Sequence, residues 1–294
     1  MPETVSTILV AVDPSNASKG TFQQALRMAQ FLKAELIAIS VTPRYEGNMN
    51  RWKISNADAK LSHPFEECLS EMQQMAEEQG QQVRTLHVIG DPVEEIIRAA
   101  EAENVGLILM GYPKRSRIER AILGQTTTKV IGYSPCDVLM IPEGAEITFS
   151  RIMVGIDGSR YSMEAGQRAL ELAMAFGGEV HALTVLDIPM ERSFLYGVLE
   201  SARQNSFPPL ETLIGQGERF GIKVSKEILH GSPSETIVQY SEKHNIDLIV
   251  LGTYGRTAMA KILLGSVVER VAMISARPTL VVKRLGKNGV RDLI

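Results

Sequence analysis

The sequence predicts an α/β protein made of two copies of one doubly wound unit, each a five-stranded parallel sheet flanked by helices. Three observations predict it. The chain has 294 residues, which at about 100–200 residues per domain favours two domains. Its second half repeats its first. Within each half, short continuous apolar runs alternate with segments of helical period, the pattern of strands buried on both faces and joined by right-handed crossover helices.

The repeat is read at two offsets. Gly90–Ile141 laid over Gly231–Val282, a shift of 141, gives 15 identities in 52 positions, where composition alone gives roughly three. Matched pairs include Pro92 with Pro233, Glu94 with Glu235, Leu107-Ile108 with Leu248-Ile249, Gly111 with Gly252, and Leu123-Gly124 with Leu264-Gly265. The front parts match at a shift of 144: ILVAVD at Ile8–Asp13 falls on IMVGID at Ile152–Asp157, Ala25-Leu26 on Ala169-Leu170, and Val41 on Val185. The first copy therefore carries three extra residues in its middle. Domains are expected at 1–143 and 149–284, joined by the short polar link at Pro142–Glu146.

The elements follow in order. Ile8–Val12 is a continuous apolar run and reads as a strand. Ser18–Leu32 has helical spacing at Phe22, Ala25, Leu26, Ala29 and Leu32. Leu36–Val41 is the second strand. His63–Gly80 is a helix with Gly80 at its C-terminal cap, and Gln82–Val88 is the third strand. Pro92–Glu103 is a helix capped by Asp91, with Pro92 at its first position. Leu107–Met110, a helix around Ile122–Ile131, and Val138–Ile141 complete the copy. The second copy gives Ile152–Ile156, Ser162–Phe176, Val180–Val185, Phe194–Phe220, Ile222–Ile228, Pro233–His244, Leu248–Leu251, Ile262–Ile274 and Thr279–Val282.

Composition narrows the function. Lys plus Arg is 31 and Asp plus Glu 34, a net charge of -3 without blocks of like charge. A nucleic-acid footprint and a polybasic membrane tether are not expected. No apolar run approaches the roughly 18–20 residues of a membrane span, and the first residues lack the pattern of a signal peptide. Cys68 and Cys136 are the two cysteines, neither in a C-x-x-C. A reducing cytoplasmic setting is expected.

In doubly wound sheets ligands bind beyond the carboxyl ends of the strands, where the winding reverses. There the second copy places Asp157 after its first strand and, after its fourth, Gly252-Thr-Tyr-Gly255-Arg256, nine residues separating Gly255 from Gly265-Ser266. Gly252 and Gly255 lack a Cβ, so backbone can approach a sugar or phosphate. Gly265-Ser266 opens the next helix, whose free N–H groups and dipole favour negative charge. Ser266 adds a hydroxyl donor. Asp157, itself an anion, suits an exocyclic amine or a ribose hydroxyl instead.

Gly252–Ser266, with the following Val267-Val268-Glu269-Arg270-Val271, resembles the ATP-binding branch of the universal stress protein family. The resemblance extends over both copies, to Leu183-Thr184-Val185 and to Pro278–Val282, so the chain resembles a tandem universal stress protein. It implies a Rossmann-like fold akin to the adenine nucleotide α-hydrolases, with strand order 3-2-1-4-5. It implies that Ile156, Asp157 and Val185 border adenine and ribose. Gly252 and Gly255 would carry the ribose and α-phosphate side, Gly265, Ser266 and Val267 would hold the phosphates, and Arg256 is a further candidate for binding the nucleotide. The implied ligand is ATP, or AMP or ADP, with Mg²⁺ accompanying ATP. The family commonly dimerises through its fifth strand. A tandem chain would pair Val138–Ile141 with Thr279–Val282 internally, and a further homodimer and a regulatory protein partner are open.

The first copy keeps Asp13, Val41, Gly111 and Gly124, a weaker second set, but has Lys114 for the second glycine and Gln125 for the serine. Pro113 also stiffens the loop. This half is read as a weakened or lost site, with a Lys114–phosphate contact or a different ligand as the rivals.

Other residues tempt less. His63, His87, His181, His230 and His244 form no H-x-x-x-H or H-E-x-x-H pair, so no metal site is expected. His87 and His230 are expected to end the third strands, where a response-regulator switch would need an aspartate. Glu94 and Glu235 fall in first helical turns, where they favour the dipole. Arg51-Trp52-Lys53, in the long segment Thr42–Ser62, is a surface loop or a lid. The motif lacks a Walker lysine, a general base and a Mg²⁺-binding carboxylate pair, so an ATP-binding regulatory protein with little or no turnover is expected rather than an enzyme. The alternatives are an interaction module without nucleotide and a slow ATPase or adenylating enzyme. Against the last, the first strands run into Asp13-Pro14-Ser15-Asn16 and Asp157-Gly158-Ser159-Arg160 rather than a pyrophosphate loop.

Overall fold

A computed structural model describes residues 5–44, 57–113, 125–187, 198–254 and 264–283. These form two compact units, divided between Ala145 and Glu146.

The first unit runs β1 (Thr7–Ala11), α1 (Asn16–Leu32), β2 (Glu35–Pro43), α2 (Ala57–Glu78), β3 (Arg84–Gly90), α3 (Pro92–Ala102), β4 (Leu107–Tyr112), α4 (Gln125–Tyr133) and β5 (Asp137–Pro142). Its strands lie in the order β3-β2-β1-β4-β5, with every pair parallel. The second unit runs β6 (Arg151–Gly155), α5 (Arg160–Phe176), β7 (Glu179–Leu186), α6 (Val198–Arg219), β8 (Val224–His230), α7 (Pro233–Lys243), β9 (Leu248–Gly252), α8 (Ser266–Ile274) and β10 (Thr279–Val282). Its order is β8-β7-β6-β9-β10, again all parallel. Both units are thus doubly wound with the order 3-2-1-4-5.

Strand registers reproduce the two sequence offsets. Ile8 pairs Leu107 in the first unit and Ile152 pairs Leu248 in the second. Ile37 pairs Arg84 and His181 pairs Ser225. The shift changes from 144 to 141 between the second and third strands, which places the three extra residues there.

Apolar runs explain the central strands: Ile8, Leu9 and Val10 are fully buried, as are Ile152, Met153 and Val154. On α1 the stripe Phe22, Ala25, Leu26 and Ala29 is buried, the apolar face that an amphipathic helix turns to the core. Polar residues inside this layer are bonded. Ser40 donates to the Val12 carbonyl at 3.0 Å, and Thr184 to the Ile156 carbonyl at 2.7 Å.

Several expected boundaries shift; β8, expected at Ile222–Ile228, lies two residues later. α2 begins at Ala57, six residues before His63, and carries Pro64 inside it; helix-forming Ala, Lys and Leu extend the helix past the proline. α8 begins at Ser266, because Gly265 is extended (φ -64, ψ 136) and acts as its cap; Ile262, where the helix is expected to start, lies outside the described residues. β3 continues to Gly90, so His87 lies inside it rather than at its end. There its Nε2 is 2.9 Å from Thr42 Oγ1, and its Nδ1 is 3.4 Å from Glu66. The residue that follows β3 is Asp91, whose carboxylate caps α3 through the Val93 and Glu94 N–H groups. His230 does end β8, and Gly80, at φ +67, follows the end of α2. Among the described residues, no helix is long and apolar enough to cross a membrane.

Candidate functional site

In the second unit the chain leaves β6 for β7 and β8 on one side, then returns to β9 on the other. The reversal lies between β6 and β9, and the crevice beyond their carboxyl ends is where such a sheet binds ligands.

Asp157 follows β6 there. The Ser159 N–H donates to its Oδ1 at 2.9 Å, and the Asp157 N–H reaches Ser162 Oγ at 3.3 Å. Between Asp157 and Ser159, Gly158 sits at φ +78, a left-handed conformation that suits glycine. Ser159 caps α5, accepting from the Ser162 N–H at 3.2 Å, while the Ser162 hydroxyl donates to the Ser159 carbonyl at 2.9 Å. Ile156 is buried. Its N–H donates to Leu183 and its carbonyl accepts from Thr184, so it fastens the end of β6 to β7. Val185 lies one residue before the end of β7 and is half-buried.

Gly252 ends β9, and the packing around it is close. A Cβ there would lie 2.6 Å from both the carbonyl carbon and oxygen of Tyr161, in the first turn of α5. The glycine lets helix and strand meet. Thr253 follows and donates through Oγ1 to the Val282 carbonyl of β10 at 2.8 Å. Its own carbonyl accepts the Gly265 N–H at 3.1 Å. A Cβ on Gly265 would sit 2.9 Å from that same carbonyl oxygen, so this approach also favours glycine.

Gly265 has no side chain to cap α8. The first N–H groups of a helix lack partners within it, so the turn at Ser266 and Val267 presents donors and the positive end of the dipole. Ser266 is exposed and Val267 half-buried. Asp157, Gly252, Gly265, Ser266 and Val267 are thereby placed on strand ends and a helix start around one reversal point. Gly255 and Arg256 lie outside the described residues.

The first unit repeats the backbone bonds of this loop, Asp13 N–H reaching Ser18 Oγ at 2.9 Å, but turns its serine hydroxyls elsewhere. Asp13 Oδ1 accepts from the Ser15 N–H at 3.1 Å, from the Ser15 hydroxyl, and from the Ser18 hydroxyl at 2.6 Å. The thiol of Cys68 on α2 donates to the Asp13 carbonyl at 3.2 Å. Burial, with Asp13 and Glu71 nearby, pushes that thiol up to about 11. Val41 is buried in β2. Gly111 packs on α1 as Gly252 does on α5, a Cβ there falling 2.9 Å from the Ala17 carbonyl. Gln125 begins α4. Gly124, Lys114 and Arg51-Trp52-Lys53 lie outside the described residues.

The universal stress protein family model matches residues 4–142 and again 148–283. The chain belongs to the universal stress protein family. Two copies of the family's domain follow one another, as in a tandem universal stress protein. A universal stress protein of Methanocaldococcus jannaschii is 37% identical over 150 residues, 49% of this chain and 88% of that protein. One of Mycobacterium tuberculosis (strain H37Rv) is 23% identical over 305 residues, 94% of this chain and 96% of its own length. Among solved structures, a universal stress protein of Archaeoglobus fulgidus superposes with a TM-score of 0.75 at 24% identity, covering 96% of this chain and 98% of that one. That likeness shows the fold.

Sequence reasoning missed the serines around the two aspartates and the rings of Tyr161 and Tyr254. The serines carry a visible signal. Both copies read Asp-x-Ser-x-x-Ser, as Asp13/Ser15/Ser18 and Asp157/Ser159/Ser162.

Proposed function

We propose that this universal stress protein binds an adenine nucleotide in its second unit and acts as a regulatory protein with little or no turnover. The observation that carries the reading is the start of α8 at Gly265–Val267, without a side-chain cap among the described residues and set by a 3.1 Å hydrogen bond onto Thr253 after β9. Asp157 stands at the end of β6, the other strand of the reversal point. Phosphate oxygens fit the helix start, and the carboxylate fits hydroxyl or amine donors of the ribose or base. ATP, with Mg²⁺ accompanying it, is the proposed ligand; AMP and ADP present the same base and sugar. Gly255 and Arg256 are proposed to complete the phosphate side.

In the first unit the serine hydroxyls donate to the Asp13 carboxylate, and Lys114 and Gln125 replace the motif's glycine and serine. One nucleotide per chain is therefore expected. The test is to denature purified protein, count the nucleotide released, and repeat after loading with ATP. Two per chain would overturn the assignment to one unit. None after loading would favour an interaction module. A turnover near the enzyme median of about 10 s⁻¹, lost in Ser266→Ala, would replace the regulatory reading with an enzymatic one.

A further inference from the structure

We propose that Tyr161 and Tyr254 form an aromatic brace that positions the phosphate side of the second unit's site. The proposal rests on the nucleotide reading above and names residues outside the glycine motif's own glycines and serine. The two rings meet edge to face, with centroids 5.3 Å apart and an interplanar angle of 65°, an arrangement that aromatic quadrupoles favour.

Each ring is tied to a different part of the site. Tyr161 is the second residue of α5, four residues after Asp157. Its backbone lies against Gly252, where a Cβ would come within 2.6 Å. Tyr254 follows Thr253, which is fixed to β10 through Val282 at 2.8 Å. The start of α8 rests on these two residues. Gly265 donates to the Thr253 carbonyl at 3.1 Å, and a Cβ on Gly265 would be 3.6 Å from Tyr254 Cα. A line of contacts therefore runs from the helix after Asp157, through two rings, to the N–H groups proposed for phosphate. Anchored by α5 on one side and by β10 on the other, Thr253 and Tyr254 hold α8's first turn at a set place.

The first unit has Ala17 and Pro113 at the equivalent positions, offset by 144 and 141. Neither offers an aromatic ring. The pair therefore accompanies the intact motif and is absent where the motif is degraded.

The experiment is calorimetric titration of the full chain with ATP and, separately, with adenosine. It compares wild type, Tyr254→Ala, Tyr254→Phe and Tyr161→Ala, each checked by thermal melting. A brace on the phosphate side acts on the phosphates. Tyr254→Ala and Tyr161→Ala should weaken ATP about three- to tenfold, the range of one edge-to-face pair. Adenosine should move less than about twofold, and Tyr254→Phe, which keeps the ring, should retain ATP affinity. Equal losses for ATP and adenosine would show general loosening and overturn the brace. So would unchanged ATP binding in both alanine variants. If wild type binds neither ligand, the nucleotide reading itself fails, and the brace with it.

Discussion

The loops that follow β1 and β6 contain the same Asp-x-Ser-x-x-Ser motif and share its backbone bonds, the first serine's N–H donating to the carboxylate and the aspartate's N–H to the second serine, but they turn their serine hydroxyls differently. In the first unit both serine hydroxyls turn to the carboxylate of Asp13, and α1 starts without a side-chain cap. In the second, Ser159 caps α5 and Ser162 bonds the Ser159 carbonyl. The residue between explains part of the divergence. Gly158 sits at φ +78, whereas a proline, as at the equivalent Pro14, is held near about -65° by its ring. Two units can share strand order, register and core while the serine hydroxyls at the mouth bond to different partners.

The strand–helix contacts that both units share differ most in what an added side chain would meet. Gly252→Ala would press a Cβ onto two backbone atoms of Tyr161 at 2.6 Å, and backbone cannot swing aside. A loss of about 2–3 kcal/mol is expected, within the usual range for overpacking. Gly111→Ala presses on one backbone atom under 3.0 Å, the Ala17 carbonyl oxygen at 2.9 Å, and on the buried Thr21 hydroxyl that bonds it, so a smaller loss of roughly 1–2 kcal/mol is expected. Urea unfolding midpoints of the two variants give the order. A larger loss at Gly111 would reverse the ranking of the two contacts.

Swapping the loop residues tests whether proline directs the serines. Gly158→Pro demands a φ that proline does not adopt and should cost more than about 1 kcal/mol. Pro14→Gly should cost only about 0.4–1 kcal/mol, through a freer unfolded chain. The informative readout for the second variant is structural. If proline holds the first loop, Pro14→Gly should release the Ser15 hydroxyl from Asp13 to cap α1, as Ser159 caps α5. A crystal structure in which Ser15 stays on Asp13 would mean that the proline does not decide the arrangement.

These loops also mark how far the sequence could be read. Runs such as Ile8–Val10 and Leu280–Val282 need no context, because a strand buried on both faces is apolar throughout. The offsets of 144 and 141 then carry one unit's register onto the other. Gly252 is legible as a place needing no side chain, but the partner that requires it, the Tyr161 backbone, is set by tertiary packing. The position of His87 is not legible, because β3 continues three residues past it, held by pairing with β2 through Pro43 and Gly90. Single-residue spacing says nothing about which way a serine hydroxyl turns, and that choice separates Ser18 from Ser162.

A smaller contrast lies at the starts of α3 and α7, which match in sequence around Pro92 and Pro233. Asp91 accepts from two backbone N–H groups, at 2.9 and 3.1 Å. Ser232 occupies the same position without a side-chain bond to the helix. Asp91→Ala should therefore cost about 1 kcal/mol, and Ser232→Ala less than about 0.5 kcal/mol, as for surface changes that remove no partner. Equal losses, measured by thermal unfolding, would mean that Ser232 caps α7 in solution.

The last contrast vanishes at neutral pH and opens in alkali. In the first unit, burial and then the charges of Asp13 and Glu71 raise the Cys68 thiol from 9.0 to about 11. In the second, burial and then Glu227 and Glu179 raise the Tyr240 hydroxyl from 10.0 to about 12, where it lies 3.1 Å from His181 Nδ1. Both are acids whose protonated form the fold prefers. Above the unfolded value the unfolded chain releases a proton that the folded chain keeps, so unfolding becomes easier as pH rises. Each group's contribution is full below its unfolded value and is lost as pH climbs through its folded one. The first unit should thus begin to weaken near pH 9 and the second near pH 10. Urea unfolding from about pH 8 upward checks this: Cys68→Ala should flatten the decline between about 9 and 11, and Tyr240→Phe the decline that starts about one pH unit later. A Cys68→Ala curve that runs parallel to wild type through that window would show that the buried thiol beneath Asp13 holds its proton no more strongly than in the unfolded chain.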